Sequence, residues 1–428
     1  MRARELRGTT LVLLGKKILL IVENNSVPFD RRVWREALTL RDAGAIVAVI
    51  CPVFGEDKTR YEVVEEIEVY RYPIKFSDGT VIGYFKEYVL AFSRTTWLLH
   101  KILFTKKHID VVHVANPPDI FWPLAPYLRI FRTKFIFDEH DLSPETYLSR
   151  FEIPLSEGGL VFRLLRMCQF LSYRLADAII STNESYRDRV IGTKRVFARK
   201  TFVVRNGPDT RYFKSVQPSE ELKRGHRFMA GYIGIMGKQD GVEYIIRAMD
   251  YLVHGRDFQQ LIVYLIGTGD DLPRIKNLVA TVDLGGFFVF PGRIPDAQAL
   301  QILSTADICL SPDPYNPLND ISTMNKIMEY MSLGKPIVSF DLKEARVSAG
   351  DSAVYVKNNR VEAFADGILA LLNDPQKRTL MGVIGRKRVA EDLCWQKQSG
   401  KLLATYNHLL SVRSDSRSRG SLKHKALS

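Results

Sequence analysis

Cysteine is scarce in this chain. Its four copies (Cys51, Cys168, Cys309, Cys394) lie far apart in apolar stretches, with no CxxC pair. That pattern excludes a disulfide scaffold and predicts buried free thiols in a reducing compartment. The eight histidines do not cluster with cysteine at ligand spacing, so no zinc site is legible. No run reaches the roughly 18 uncharged apolar residues needed to span a bilayer. Lys16 and Lys17 interrupt the early apolar run, and no small-residue cleavage site follows, which argues against a signal peptide. The expectation is a cytoplasmic protein, able to place a surface on the inner face of the membrane.

Acids are outnumbered, 48 Asp and Glu against 61 Lys and Arg, for a net charge of +13. The last 18 residues carry five basic residues and one acid, so the rest of the chain remains basic. Such a balance favours anionic partners: nucleotides, phosphorylated lipids or membrane surfaces. No nucleic-acid-binding motif accompanies it. With 46% hydrophobic and 25% charged residues the composition is globular, which rules out a disordered or collagen-like chain. Single cores stop growing at about 250–300 residues, so 428 residues predict two domains.

Residues 17–50 read as a βαβ unit. KILLIVE is a continuous apolar strand, as expected when both faces of a parallel sheet are covered. Asp30 can cap a helix to about Ala43, with Val33, Ala37 and Leu40 facing inward. AIVAVIC is the next strand. The alternation continues through a helical region at 82–106, strands VVHVA (111–115) and KFIFDEH (134–140), a helix at 158–176, and strands at 178–182 and 202–206. A second series begins at FMAGYIG (228–234), followed by strands at 261–267, 287–292, 308–312 and 336–341 with helices between. The polar stretch 207–226, with Pro208 and Pro218, marks the seam. The reading is α/β, two doubly wound halves: residues 1–207 and 208–395, a helix at about 396–411 returning to the first half, and a disordered basic tail at 412–428. Open parallel sheets bind ligands at the carboxyl ends of their strands, near the point where strand order reverses. Two such sheets would face each other across a cleft.

The segment DISTMNKIMEYMSLGKPIVSFDLKEA (320–345) carries the most specific chemistry. Ser322 can cap a helix from about Thr323 to Leu333, stopped by Gly334 and Pro336. Lys326 and Glu329 are three apart and share a face. A helix start with free N–H groups, hydroxyls and a lysine suits an anion, and a carboxylate one turn later suits ribose hydroxyls. A solvated Lys–Glu pair on an ordinary helix is the bland alternative.

The string EYMSLGKP resembles the signature of the family-4 glycosyltransferases, usually E-A-M-A-x-G-x-P. KILLIVEN…VPFDRRVWREALTLRDAG, VVHVANPPD, FDEHDLSPE, VVRNGPD, LIGTGDDL, VFPGRI, ADICLSPDP and the closing helices resemble further family segments, in the family's order, over about residues 15–411. The resemblance implies a GT-B fold of two Rossmann-like domains and an enzyme that moves a sugar from a nucleotide-sugar to an acceptor. It also implies retention at the anomeric carbon, with no bound metal and no cofactor. The transition state then has oxocarbenium character, and the departing diphosphate must be met by cations and helix N-termini.

By that resemblance Glu329 contacts ribose, Thr323, Asn325 and Lys326 lie at the helix start facing the diphosphate, and Gly234 is a further donor-binding candidate. Lys238, together with Lys326, could substitute for the family's cations missing at Ile235 and Asp240. Arg293 and Ile294 fall beside the base. His140 stands by the transferred sugar, with Asp320 as the nearest acid to the first signature carboxylate and Asp313 or Asn319 as other candidates. Asp30, Arg31 and Asp141 fall on the acceptor side, where Arg32 could also contribute charge. His113, within an apolar strand, reads as structural. The acceptor implied is a glycan or a polyprenyl-linked sugar.

Three departures stand out. Ile321 replaces the first signature Glu, Ile235 and Asp240 replace a cation pair of the second domain, and NNSVPF replaces a glycine pair in the first. They leave a second reading open: a non-catalytic nucleotide-sugar or glycan binder on the same scaffold. GTGDD (267–271) lacks the third glycine of a dinucleotide fingerprint, because position 272 is leucine. The helical stretches 82–107 and 158–174 mix bulky apolar and basic residues, a pattern that can lie on an anionic bilayer.

Overall fold

The computed structural model describes residues 12–53, 59–75, 80–106 and 108–424. Its contacts divide the chain into one unit of residues 1–204 with 399–428, and another of 205–398.

The first unit runs β1 (Lys17–Ile21), α1 (Arg31–Asp42), β2 (Ile46–Pro52), β3 (Tyr61–Val64), β4 (Ile67–Tyr72), α2 (Val81–Lys106) and β5 (Val111–Ala115). It continues through α3 (Leu124–Ile130), β6 (Lys134–Glu139), α4 (Ser143–Arg150), α5 (Gly159–Leu175), β7 (Ala178–Ser181), α6 (Glu184–Thr193) and β8 (Thr201–Val203). The sheet order is β3-β4-β2-β1-β5-β6-β7-β8, so strand order reverses between β1 and β5. Its neighbours are parallel except β3 and β4, which pair antiparallel. That hairpin carries no signal in the sequence reading. β3 is a half-exposed edge strand, YEVV, and lacks the continuous apolar run that betrays a buried one.

Asp30 caps α1 by accepting hydrogen bonds from the Arg32 and Val33 amides at 3.1 and 2.9 Å. Val33, Ala37 and Leu40 are buried against the sheet, as their spacing predicts. Arg32 and Glu36 lie on that same inward face and are buried too. Burying each large aliphatic side chain contributes about 1.5–3 kcal/mol, whereas the two charged ones need partners.

The second unit runs β9 (Phe228–Ile233), α7 (Val242–Asp250), β10 (Leu261–Ile266), α8 (Leu272–Thr281), β11 (Phe288–Gly292), α9 (Asp296–Thr305) and β12 (Ile308–Ser311). Then follow α10 (Asn325–Ser332), β13 (Ile337–Phe340), α11 (Lys343–Ala349), β14 (Ala353–Val356), α12 (Val361–Leu372) and α13 (Pro375–Arg388). Its sheet is parallel throughout, ordered β11-β10-β9-β12-β13-β14, with the reversal between β9 and β12.

The last helix, α14 (Trp395–His424), begins in the second unit and continues in the first. Gln398 accepts a hydrogen bond from the Arg205 amide at 3.2 Å. Two turns on, Tyr406 is fully buried. The helix continues through His424, into the stretch 412–428 expected as a disordered tail, and residues 425–428 lie outside the described ones. Cys51, Cys309 and Cys394 are buried free thiols and Cys168 is half-buried. Among the described residues, no helix is long and apolar enough to cross a membrane.

Candidate active site

In the second unit the loops leaving β9, β10 and β12 converge on the start of α10, where strand order reverses. Gly267 leaves β10 with φ +131°, and a Cβ there would overlap the Gly234 carbonyl at the end of β9. At Gly241, φ +68°, a Cβ would overlap the Pro312 carbonyl after β12. Glycine is required at both positions by conformation and by the close approach of backbone. Tyr330 on α10 accepts from the Ile233 amide at 3.0 Å and donates to the Leu310 carbonyl at 3.2 Å. The helix is thereby tied to both strands that flank the reversal.

Lys326 is the buried cation of this site. Its Nζ donates to Asp313 Oδ1 at 2.6 Å and lies 4.9 Å from the centre of the Tyr232 ring. Asp313 also accepts from Ser311 Oγ at 2.6 Å. A Cβ on Gly234 would stand 2.9 Å from the Tyr232 hydroxyl and 3.6 Å from Lys326 Cε, so glycine here lets that ring and the lysine stem pack against the β9 end. Asp240 accepts from the Gly237 amide at 3.0 Å. Burial pushes its carboxyl up to about 6, against the pull of Lys326 and with the push of Asp313. One ammonium and the start of α10 therefore lie together at the strand-order reversal, with two carboxyl groups close by.

The helix start differs from expectation. α10 begins at Asn325 with Met324 at the cap position, and Ser322 Oγ instead donates to the Leu318 carbonyl at 2.7 Å. The hydroxyl closes the preceding turn, as serine does where a local carbonyl competes for it. Thr323 is half-buried in the link, Asn325 is exposed, and Glu329 is half-buried one turn beyond Lys326. Lys238 is exposed in a short 3-10 turn, and Arg293 is exposed directly after the outer strand β11. Asp320 Oδ1 accepts the Lys343 amide at 2.8 Å, so this carboxylate serves the start of α11. Asn319 donates to the Gln239 and Pro314 carbonyls at 3.1 and 2.9 Å, joining the loops after β9 and β12.

In the first unit the strand ends of β5 and β6 hold His140. Its amide donates to Asn116 Oδ1 at 2.6 Å, and the Asp141 amide donates to the same oxygen at 3.1 Å. Asn116 Nδ2 donates to Asp119 Oδ1 at 2.7 Å and to the Asp141 carbonyl at 2.8 Å. Burial raises the Asp119 carboxyl to about 6. Asp141 itself is exposed, as is Arg31 on the first turn of α1.

Beneath His140 lies a buried charge cluster. Asp138, fully buried, receives Arg32 Nη2 at 3.0 and 3.1 Å and lies 2.7 Å from His140 Nε2. Arg32 Nη1 donates to the Val204 carbonyl at 2.9 Å. Burial alone would raise Asp138, but Arg32 and His140 outweigh it and hold the carboxyl well below its usual range. Glu36 goes the other way, pushed well up by burial and by Asp138 despite Arg32 at 3.2 Å. Glu36, His113 and Asp138 are grouped closely enough to hold a metal ion, yet the Arg32 guanidinium already lies against both carboxyl groups. The cluster is a charge-balanced core rather than an open ligand set.

Residues 30–207 match the family described as glycosyl transferase 4-like domain, and residues 227–374 match glycosyl transferases group 1. Together these cover well over half of the chain. An uncharacterized glycosyltransferase of Methanocaldococcus jannaschii is 21% identical over 66% of this chain and 70% of its own. Alpha-maltose-1-phosphate synthase of Mycolicibacterium smegmatis is 24% identical over 54% of this chain and 63% of its own. Among solved structures, sucrose-phosphate synthase from Thermosynechococcus elongatus aligns over 93% of this chain and all of its own, at TM-score 0.75 and 18% identity. Anabaena HepE in complex with UDP and glucose aligns over 92% of this chain and all of its own, at TM-score 0.68 and 17% identity.

Two parallel-sheet Rossmann-like units with these relatives define a GT-B glycosyltransferase. The chain belongs to the family-4 group of those enzymes.

Proposed function

We propose that this enzyme moves a sugar, with retention at the anomeric carbon, from a nucleotide-sugar to a glycan or polyprenyl-linked acceptor in cell-surface polysaccharide or glycolipid synthesis. The observation that carries the reading is Lys326, a buried ammonium in the first turn of α10, where the strand order of the second sheet reverses. The diphosphate takes that ammonium and the adjacent helix N–H groups, and Glu329 receives the ribose hydroxyls. The UDP and glucose bound by the Anabaena neighbour support a nucleoside-diphosphate donor. His140 steadies the positive charge that develops on the transferred sugar. No step calls on a bound metal, so chelator leaves the rate unchanged.

A thermal-shift panel of nucleoside diphosphates and nucleotide-sugars on wild type and Glu329→Ala tests the donor site. A ligand at a hundredfold excess over its Kd stabilises the native state by about 2.7 kcal/mol. One base family should shift the wild type and not the variant. Turnover with an added acceptor, followed by NMR of the product's anomeric proton, tests retention. Binding without turnover would favour the non-catalytic reading prompted by Ile321, Ile235 and Asp240.

We also propose peripheral contact with an anionic membrane through the first unit. α2 exposes Ile82, Phe85, Val89 and Trp97 beside Lys86 and Lys101, and α5 exposes Leu160, Leu164 and Met167 beside Arg163 and Arg166. The sole acid in either helix, Glu87, is buried.

A further inference from the structure

The cluster under His140 reaches from the first helix to the last. Arg32 comes from α1, His113 from β5, Asp138 from β6 and Tyr406 from α14. Tyr406 OH lies 2.8 Å from His113 Nδ1, and His113 Nε2 lies 3.4 Å from Asp138 Oδ2. That same Oδ2 lies 2.7 Å from His140 Nε2, and Arg32 Nε–H points at the same ring nitrogen at 2.9 Å, so the carboxylate favours a proton on Nε2 and the guanidinium a bare nitrogen. Asp138, Arg32, His113 and Tyr406 are nearly or fully buried, so water does not compete for these contacts.

A carboxylate against a ring nitrogen favours a proton there, a donor against the same nitrogen opposes one, and the balance of the two sets the tautomer while both hold the ring plane. Here the carboxylate is itself held from one side by the Arg32 guanidinium, while the His113 ring packs against it from the other with Nε2 at 3.4 Å, outside hydrogen-bond geometry. The histidine is held in turn by a tyrosine hydroxyl. Burial keeps the His113 ring below its usual range even with Asp138 beside it, so it serves as a neutral spacer. The charges in direct contact are then those of Arg32 and Asp138, with the Glu36 carboxyl raised alongside them by burial and by Asp138.

We propose that Arg32 and Asp138 are positioning residues that set the ring and tautomer of His140, and that His113 and Tyr406 lock the shared carboxylate from behind. The inference rests on the reading that His140 acts at the transferred sugar, but the geometry of the ring can be measured without it. It also gives α14 a role in the chemistry, since a helix at the far end of the chain supplies the outermost link.

The experiment uses the full chain, with ring ¹⁵N resonances of His140 and His113 assigned by His140→Gln and His113→Gln. Tyr406→Phe removes one hydroxyl from a packed site and should leave the fold intact. It should shift the His113 and His140 ring signals and lower kcat several-fold while the donor KM stays put. Asp138→Asn should change the His140 tautomer and lower kcat by roughly a hundredfold or more. If Asp138→Asn does not fold, Tyr406→Phe with Arg32→Lys carries the test. Unchanged His140 ring signals in folded variants would overturn the proposal, even where His140→Gln is inactive. Full transfer by His140→Gln alongside shifted ring signals would instead remove the catalytic role of His140 and leave the positioning network standing.

Discussion

Burial decides the protonation of single residues in the first unit. Glu23, at the end of β1, is 1% exposed and meets Glu87 of α2. Burial first, and Glu87 second, raise its carboxyl from 4.5 to about 8. Glu139 is raised to about 8 as well, by burial against the opposing bonds of Tyr173 and Gln169. Between about pH 4.5 and 8 the folded chain thus keeps protons that the unfolded chain has released. Stability contributed by these groups is full below the unfolded value and is lost as pH rises, by up to about 1.4 kcal/mol per pH unit for each carboxyl. Glu23→Gln mimics the protonated form. Its melting temperature should fall less between pH 6 and 8 than that of wild type, and a parallel decline in both proteins would refute the assignment. Lys326 was legible in the sequence because its helix and the strand after it form one local pattern. Arg32 and Asp138 were not, because they are 106 residues apart in sequence and only the closed sheet joins them. Within DRR the spacing alone did not decide between Arg31, which is exposed, and Arg32, which is buried.

At the level of elements, the buried parallel strands were readable as continuous apolar runs, with ends within a residue or two for most. The β3–β4 hairpin and β14 are not, since β3 is an exposed edge strand, β4 alternates apolar with polar residues, and β14 is only four residues long. The start of α10 lies two residues beyond the expected Thr323, because Ser322 bonds backward to the Leu318 carbonyl instead of capping. The loops around that helix make a sharper prediction. Gly267 combines φ +131° with a Cβ position blocked by the Gly234 carbonyl, while the Gly234 amide bonds the Ile266 carbonyl at 3.1 Å. Gly267→Ala must therefore push the β9 and β10 loops apart. It should cost on the order of 2 kcal/mol in stability and at least tenfold in nucleotide affinity. Calorimetric titration with the best nucleotide of the panel checks it, with Gly286→Ala, whose Cβ meets open space, as control. Equal affinity in the two variants would show that this loop does not shape the donor site.

For the molecule as a whole, the net charge of +13 matters less than where exposed base meets exposed apolar surface. An anionic leaflet attracts each nearby Lys or Arg by about 1 kcal/mol and falls off within a Debye length, while aromatic and aliphatic side chains gain by entering the headgroup region. Lys86, Lys101, Arg163 and Arg166 supply the first term, and Phe85, Trp97 and Leu164 the second. Neither term alone anchors a protein, so binding should need both. The full chain should cosediment with vesicles of equal phosphatidylglycerol and phosphatidylcholine, and should not with phosphatidylcholine alone. Raising salt should weaken that binding, because the basic residues are exposed and screened. Phe85→Ser with Trp97→Ser should reduce it at constant charge, and these residues lie outside the nucleotide site, so thermal shifts with nucleotide should be unchanged. Binding that persists in the double variant while still falling with salt would reduce the contact to charge alone. Equal binding to neutral and anionic vesicles would remove the basic residues of α2 and α5 from the account.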